Sequence, residues 1–214
     1  FMAKKDLSTK VFHEIRGKIL NFDILPGVKV PDKDIANEMG ISRTPVREAL
    51  FRLAENGLIH AKPNRGFTVR TFTAKEVEDL YNMREALEAL AVKLTIRNLN
   101  ERKIKSFYEL MERYKALLHT NDVLMFNKLD QEFHDLIANY SENDFLKQNL
   151  RSMHDKIWLI RRYLYFLPGT FQEAYEEHFH IIEYIENRVT NKAKAAMSQH
   201  ILKAMKDLIR QFHK

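Results

Sequence analysis

The 214-residue chain contains no cysteine. That excludes disulfides and thiolate metal sites, so any transition metal must take its ligands from histidine, aspartate or glutamate. No run approaches the roughly 20 apolar residues of a membrane-spanning helix. The N-terminus places Lys4, Lys5 and Asp6 where a secretory signal would carry its apolar core. The expectation is a cytoplasmic protein without a membrane partner. Glycine and proline are scarce and unevenly spread: Pro26, Gly27, Pro31, Gly40, Pro45, Gly57, Pro63 and Gly66 fall in the first 70 residues, and none follows until Pro168 and Gly169. A turn-rich first third therefore precedes a long helical remainder. Residues 1–72 carry 13 Lys and Arg against 8 Asp and Glu, whereas residues 73–214 carry 22 against 21. Almost all of the positive excess lies in the first third, which points to a polyanion-binding module joined to a neutral one.

What is present sharpens this division. Val11, Ile15 and Ile19 share one stripe of a first helix, over about 8–22, that ends before Pro26-Gly27. A short second helix over 32–39 has Asp32 and Asp34 in its first turn, where the helix dipole favours acids, and Gly40 stops it. A third begins after Ser42, accommodates Pro45 in its first turn and ends at Asn56-Gly57. Residues 58–60 and 67–70 read as two strands joined by Lys62-Pro63-Asn64-Arg65-Gly66. Beyond them six helices are expected, over 74–97, 100–119, 121–139, 143–166, 171–188 and 191–213. Thr73 with Glu76 and Thr170 with Glu173 have capping-box spacing, and Ser141 with Asp144 a weaker version. The expected fold is mostly α: an N-terminal winged helix-turn-helix (1–72) and a C-terminal antiparallel six-helix bundle (73–214).

Two short helices joined by a tight glycine turn form a helix-turn-helix, whose second helix enters the major groove N-terminus first. Val46, Ala49, Leu50 and Leu53 should face the core, leaving Arg43, Thr44 and Arg47 at the exposed start. Arg43 and Arg47, four apart, can present guanidinium forks to guanine edges or phosphates, while Thr44 and the free helix N–H groups take a phosphate. Lys33 is a further phosphate candidate, and Arg65 and Gly66 sit at the hairpin tip. By periodicity alone the same shape also serves as a mere packing unit. The residues are more specific. Leu25-Pro26-Gly27, Asp34-Ile35-Ala36, the run Ser42-Arg43-Thr44-Pro45-Val46-Arg47-Glu48-Ala49-Leu50, Glu55-Asn56-Gly57-Leu58 and Asn64-Arg65-Gly66-Phe67 together resemble the DNA-binding domain of the GntR family of bacterial regulators. The resemblance implies operator contacts from Arg43, Thr44, Arg47 and the wing glycine, Gly66. Where relatives often carry an arginine this chain has Lys33, which keeps the charge but loses the bidentate fork.

In the second region Asp130 and His134 lie four apart on one face beside Phe126, Phe133 and Ile137, a spacing that lets one helix offer two ligands to a metal. His178 and His200, each flanked by apolar residues, fall on later helices. Three imidazoles and a carboxylate would suit zinc, nickel or a similar divalent ion and leave positions for a ligand carboxylate. A histidine on a helix face equally serves as a hydrogen-bonded packing residue. The stretch Asp79-Leu80-Tyr81-Asn82-Met83-Arg84-Glu85-Ala86-Leu87-Glu88, the Asp130/His134 pair, Glu177-His178 and Ala196-Met197 ahead of His200 resemble the FCD effector domain of the FadR subfamily. That resemblance implies a metal held by Asp130, His134, His178 and His200, with a small organic acid beside it and Arg84 lining the cavity. The Arg161-Arg162 pair beside Trp158 and Tyr163 could bind an acidic effector but reads more readily as a solvated charged face, and Glu132, Asp135 and Glu177 read as ordinary surface acids.

The function expected is a non-enzymatic homodimeric transcriptional regulator, repressor or activator, binding double-stranded operator DNA under control of a small carboxylate effector. Two alternatives are a metal-dependent enzyme acting on small acids with a DNA-binding accessory, and a metal-free regulator responding to an acyl-coenzyme A.

Overall fold

The computed structural model describes residues 4–62, 65–120, 122–161 and 170–212. The chain divides into two compact units, Phe1–Phe72 and Thr73–Lys214. Among the described residues it is mostly helical, with a small sheet in the first unit.

In the first unit α1 (Lys4–Leu20), β1 (Lys29–Val30), α2 (Asp32–Glu38), α3 (Arg43–Glu55), β2 (Ile59–Lys62) and β3 (Gly66–Val69) form a winged helix-turn-helix. The apolar stripe Val11, Ile15 and Ile19 is buried, as are Val46, Ala49, Leu50 and Leu53 of α3, and α1 packs on α3 around them. Gly40 makes the tight turn between α2 and α3 at φ +65, a backbone conformation that a side chain would strain. The sheet has one strand more than the sequence predicts. β3 is central, pairing antiparallel with β2 (His60 opposite Thr68) and with β1 (Val30 opposite Phe67). Two residues are too few for a period-two pattern to register, which is why β1 escaped sequence reading. Of the expected hairpin loop, Pro63 and Asn64 lie outside the described residues.

The second unit contains α4 (Ala74–Arg97), α5 (Glu101–Leu117), α6 (Val123–Tyr140), α7 (Asp144–Arg161), α8 (Thr170–Glu186) and α9 (Thr190–Gln211). α4 packs against α6, α7, α8 and α9, and α5 against α6 and α8. The Thr73/Glu76 capping box forms in full: Glu76 N–H donates to Thr73 Oγ1 at 3.2 Å and Thr73 N–H to Glu76 Oε2 at 2.9 Å. The other two expected caps differ. Asn143 caps α7, accepting from Leu146 N–H at 3.0 Å, while Ser141 turns its hydroxyl back to the Ala138 carbonyl at the end of α6. Thr170 already lies within α8, and the residue before it is outside the described set, as are the expected ends of the fourth helix at 162–166 and of the last at His213. Thr95, buried on α4, donates to the Ile137 carbonyl at 2.8 Å and ties α4 to α6, the helix bearing Asp130 and His134. No helix among the described residues is long and apolar enough to cross a membrane.

Candidate metal centre and nucleic-acid interface

Three helices bring four side chains to one point in the second unit. Asp130 and His134 project from α6, His178 from α8 and His200 from α9; all are buried, and one ligand atom from each lies within 4.8 Å of the others. His178 Nε2 stands 3.2 Å from His200 Nε2 and 3.7 Å from Asp130 Oδ1, and His134 Nε2 is 3.9 Å from Asp130 Oδ2. Among the described residues His134 Nε2 is buried and finds no hydrogen-bond partner.

The outer nitrogens explain the inward aim. His134 Nδ1 meets the Glu88 carboxylate of α4, and His200 Nδ1 meets Glu177 Oε2 at 2.6 Å. A carboxylate on Nδ1 favours the tautomer with the proton there and leaves the Nε2 lone pair facing inward, the arrangement metal-binding imidazoles ordinarily have. Burial disfavours the imidazolium and, despite the opposing pull of Glu88, brings His134 down to about 4. Burial likewise drives His178 well below the ordinary histidine value, reinforced by its histidine neighbours, and lowers His200 although Glu177 resists. Glu88 is raised by burial but more strongly lowered by Arg84 and His134, so it stays ionised. At neutral pH the centre thus presents three neutral imidazoles and a carboxylate. Converging lone pairs with one nitrogen orphaned are poorly satisfied by one another and well satisfied by a divalent cation.

Two charged residues near the centre depart from their sequence reading. Arg161, expected on a solvated face, is 3 % exposed and pairs with Asp130; Arg162 lies outside the described residues. The burial has a helical logic, for Leu150, Met153, Ile157 and Arg161 follow one stripe of α7. Glu177, read as a surface acid, is half-buried and joins His200 to Lys203, whose Nζ lies 2.8 Å from Glu177 Oε1. Sequence reasoning places Glu88 only within the stretch that resembles the FCD domain; the signal that marks it is its position on the buried stripe Val77, Tyr81, Arg84, Glu88. Arg84, also buried, donates from Nε to Glu88 Oε1 at 2.6 Å. A cavity of about 60 Å³ opens beside the centre, lined by Asp130, His200, Arg161, Glu173, Glu177 and Lys203 among others. Arg84 instead lines a smaller one, of about 10 Å³, with Glu88, His134 and His154.

In the first unit Lys33, Arg43, Thr44, Arg47, Arg65 and Gly66 are all exposed. Gly66 has φ +78, a backbone conformation that favours glycine, and among the described residues no atom lies within 4 Å of where a Cβ would stand. Arg43, Arg47 and Gly66 line a concavity between α3 and the wing, together with Asp32, Phe51 and Phe67. The arginines are not loose. Arg43 Nη2 lies 3.0 and 2.9 Å from the two Asp32 oxygens, and Arg47 Nη1 lies 3.0 Å from Asp32 Oδ2. The Arg47 guanidinium also stands over Phe51 and Phe67, at 5.6 and 5.7 Å. Burial raises the Asp32 carboxyl, but the hydrogen bonds and charges of both arginines outweigh it and hold the group below its ordinary value.

Comparison with known proteins agrees with both halves. Residues 7–69 match the bacterial regulatory proteins of the gntR family, and residues 79–203 match the FCD domain. The chain is 32% identical over 193 residues to the HTH-type transcriptional regulator YdhC of Bacillus subtilis, covering 89% of this chain and 84% of that one. It is 29% identical to the Nta operon transcriptional regulator of Aminobacter aminovorans, covering 86% of each chain. Identity to the HTH-type transcriptional repressor RspR of Escherichia coli is 25%, over 96% of this chain and 90% of that one. Among solved structures, E. coli McbR/YncC superposes with a TM-score of 0.78 at 22% identity, covering 96% of this chain and 98% of the other.

Proposed function

Because the chain belongs to the gntR family of bacterial regulatory proteins, as a transcriptional regulator with an FCD effector-binding domain, we propose that a divalent metal held by Asp130, His134, His178 and His200 is its sensing centre. The observation that carries this reading is the convergence of three imidazole Nε2 atoms and one carboxylate, two of the imidazoles being oriented by carboxylates behind them. A nitrogen-rich set with one carboxylate suits zinc or nickel. When bound, the ion supplies positive charge and open coordination positions for an oxygen ligand. Glu88 and Glu177 keep their histidines aimed, and Arg161 and Lys203 place guanidinium and ammonium donors at the adjoining cavity. Arg84 adds a second buried positive charge behind His134. The effector is then a small carboxylate. Among the described residues the cavity of about 60 Å³ beside the centre has room for a few atoms.

Arg43, Thr44, Arg47, Lys33 and the wing residues Arg65 and Gly66 make the operator contacts, the arginines reading base edges and the others the backbone. The acting species is a homodimer on a two-fold operator. Its support lies on the outer face of α4, where Leu80, Met83, Leu87, Leu90 and Leu94 recur at alternating spacings of three and four, with Met83 57% and Leu90 40% exposed. That spacing is a coiled-coil seam. Asp79 and Lys93 flank it on one side, each seven residues from Ala86. Two copies of α4 meeting antiparallel about Ala86 therefore bring opposite charges together.

Metal analysis of purified protein, with selection of preferred duplexes from a random library, tests the reading. It expects one zinc or nickel ion per chain, lost in His134→Ala, and sequence-specific DNA binding, lost in Arg47→Ala without loss of folding. Metal retained by His134→Ala, or selection of no preferred sequence by the wild type, would sink the corresponding half.

A further inference from the structure

The clamp on Arg43 and Arg47 carries a consequence for how sequence is distinguished from phosphate. We propose that Asp32 is a specificity-setting residue of the DNA-binding surface: a fixed carboxylate that holds both arginines by one nitrogen each, aims their remaining donors at base edges and offsets one of their two charges. The proposal rests on the reading of those arginines as DNA contacts.

Asp32 is the first residue of α2, where an acid ordinarily does no more than complement the helix dipole. Here its side chain is 14% exposed while those of Arg43 and Arg47 are 57% and 47% exposed, so the carboxylate lies beneath two guanidinium groups that continue outward. It accepts from α3 at three distances between 2.9 and 3.0 Å. With Phe51 of α3 and Phe67 of β3 beneath Arg47, that guanidinium is fixed from three elements before any ligand arrives. An arginine immobilised in advance loses less rotamer freedom on docking.

The chemistry of the two kinds of DNA contact then separates. A phosphate oxygen is an anion, seeks the same donors that Asp32 holds, and is repelled by the carboxylate beside them. The O6/N7 edge of guanine is neutral, suffers little of that repulsion and needs only the donors Asp32 leaves free. Asp32 thus weakens sequence-independent binding more than base-specific binding, and specificity is the difference between the two.

The test uses the full chain with two probes: a random-sequence duplex, and a duplex selected from a random library by the wild type. Asp32→Asn is expected to bind the random duplex about 3- to 10-fold more tightly at physiological salt, with a logarithmic salt dependence steeper by about 0.9, one phosphate's worth of charge. Affinity for the selected duplex should rise less or fall, so the ratio of the two drops by about fivefold or more. Asp32→Ser, which suits a helix start, should show the same drop, and Asp32→Glu should retain most of the ratio. A ratio unchanged within about twofold in both Asn and Ser variants, or equal weakening on both probes, overturns the proposal in favour of a structural role. If Arg47→Ala leaves selected-duplex binding intact, the reading of the arginines fails and the proposal falls with it.

Discussion

Replacing Glu177 tests the proposed metal centre at a carboxylate that the exposed acids around it can be compared with. Glu177 reaches His200 Nδ1 at 2.6 Å and Lys203 Nζ at 2.8 Å, with its side chain 29% exposed. Carboxylates behind metal-binding imidazoles contribute about 10- to 100-fold in metal affinity, which is about 1.4–2.7 kcal/mol. Partial exposure and the shared lysine put Glu177→Gln near the lower limit, because the amide oxygen still accepts from Nδ1 and only the charge is lost. Glu177→Ala removes the acceptor as well and should approach the upper limit. Glu173 is the control: it lies 2.7 Å from the same Lys203, with its side chain 58% exposed, and exposed pairs of this kind contribute little. Competition between the protein and a chromophoric zinc chelator, at pH 7.5, measures all three variants. The expected order of zinc affinity is wild type and Glu173→Gln alike within about twofold, then Glu177→Gln, then Glu177→Ala. Unchanged affinity in Glu177→Ala, or an equal loss in Glu173→Gln, would refute the assignment of Glu177 as the group that orients His200.

Metal-free protein should lose stability as pH falls. The folded-state values of His134, His178 and His200 are depressed, so the unfolded chain takes up protons below about 6.5 that the folded chain refuses. For His134 the loss runs from that point down to about 4, at about 1.4 kcal/mol per pH unit. Urea midpoints in chelator at pH 7.5, 6.5, 5.5 and 4.5 check it, and a profile flat between 6.5 and 4.5 contradicts it. If the proposed homodimer forms through the α4 seam, the wild type should be dimeric and Leu87→Glu monomeric at micromolar concentration in sedimentation equilibrium; a monomeric wild type refutes the dimer, and a variant still dimeric means that the seam is not its interface.

Much of the helical layout was legible because its signals are local. The α4 boundaries were read correctly at both ends, since Thr73 and Glu76 cap one and the apolar period runs unbroken to the other. The core of α3 followed from spacing alone. The cap of α7 depends on a detail smaller than a motif: Asn143 sits two residues after Ser141, across the positive φ of Glu142, and it is Asn143 that accepts from Leu146 N–H. Arg161 was misread although its stripe position was visible, because a charge pair looks solvated until a partner such as Asp130 is seen buried against it.

The sequence by itself determined a basic, turn-rich first unit, a neutral helical second unit, the absence of cysteine and the four-residue spacing of Asp130 and His134 on one helix. Those are properties of composition, period and spacing along one chain. Only the tertiary structure decided that α6, α8 and α9 bring Asp130, His134, His178 and His200 within 4.8 Å of one another, that Glu88 and Glu177 stand behind two of them, and that Asp32 holds Arg43 and Arg47 of α3. Each of those pairings joins residues between 11 and 70 positions apart, and no local pattern reports the distance between helices that meet only when the chain has folded.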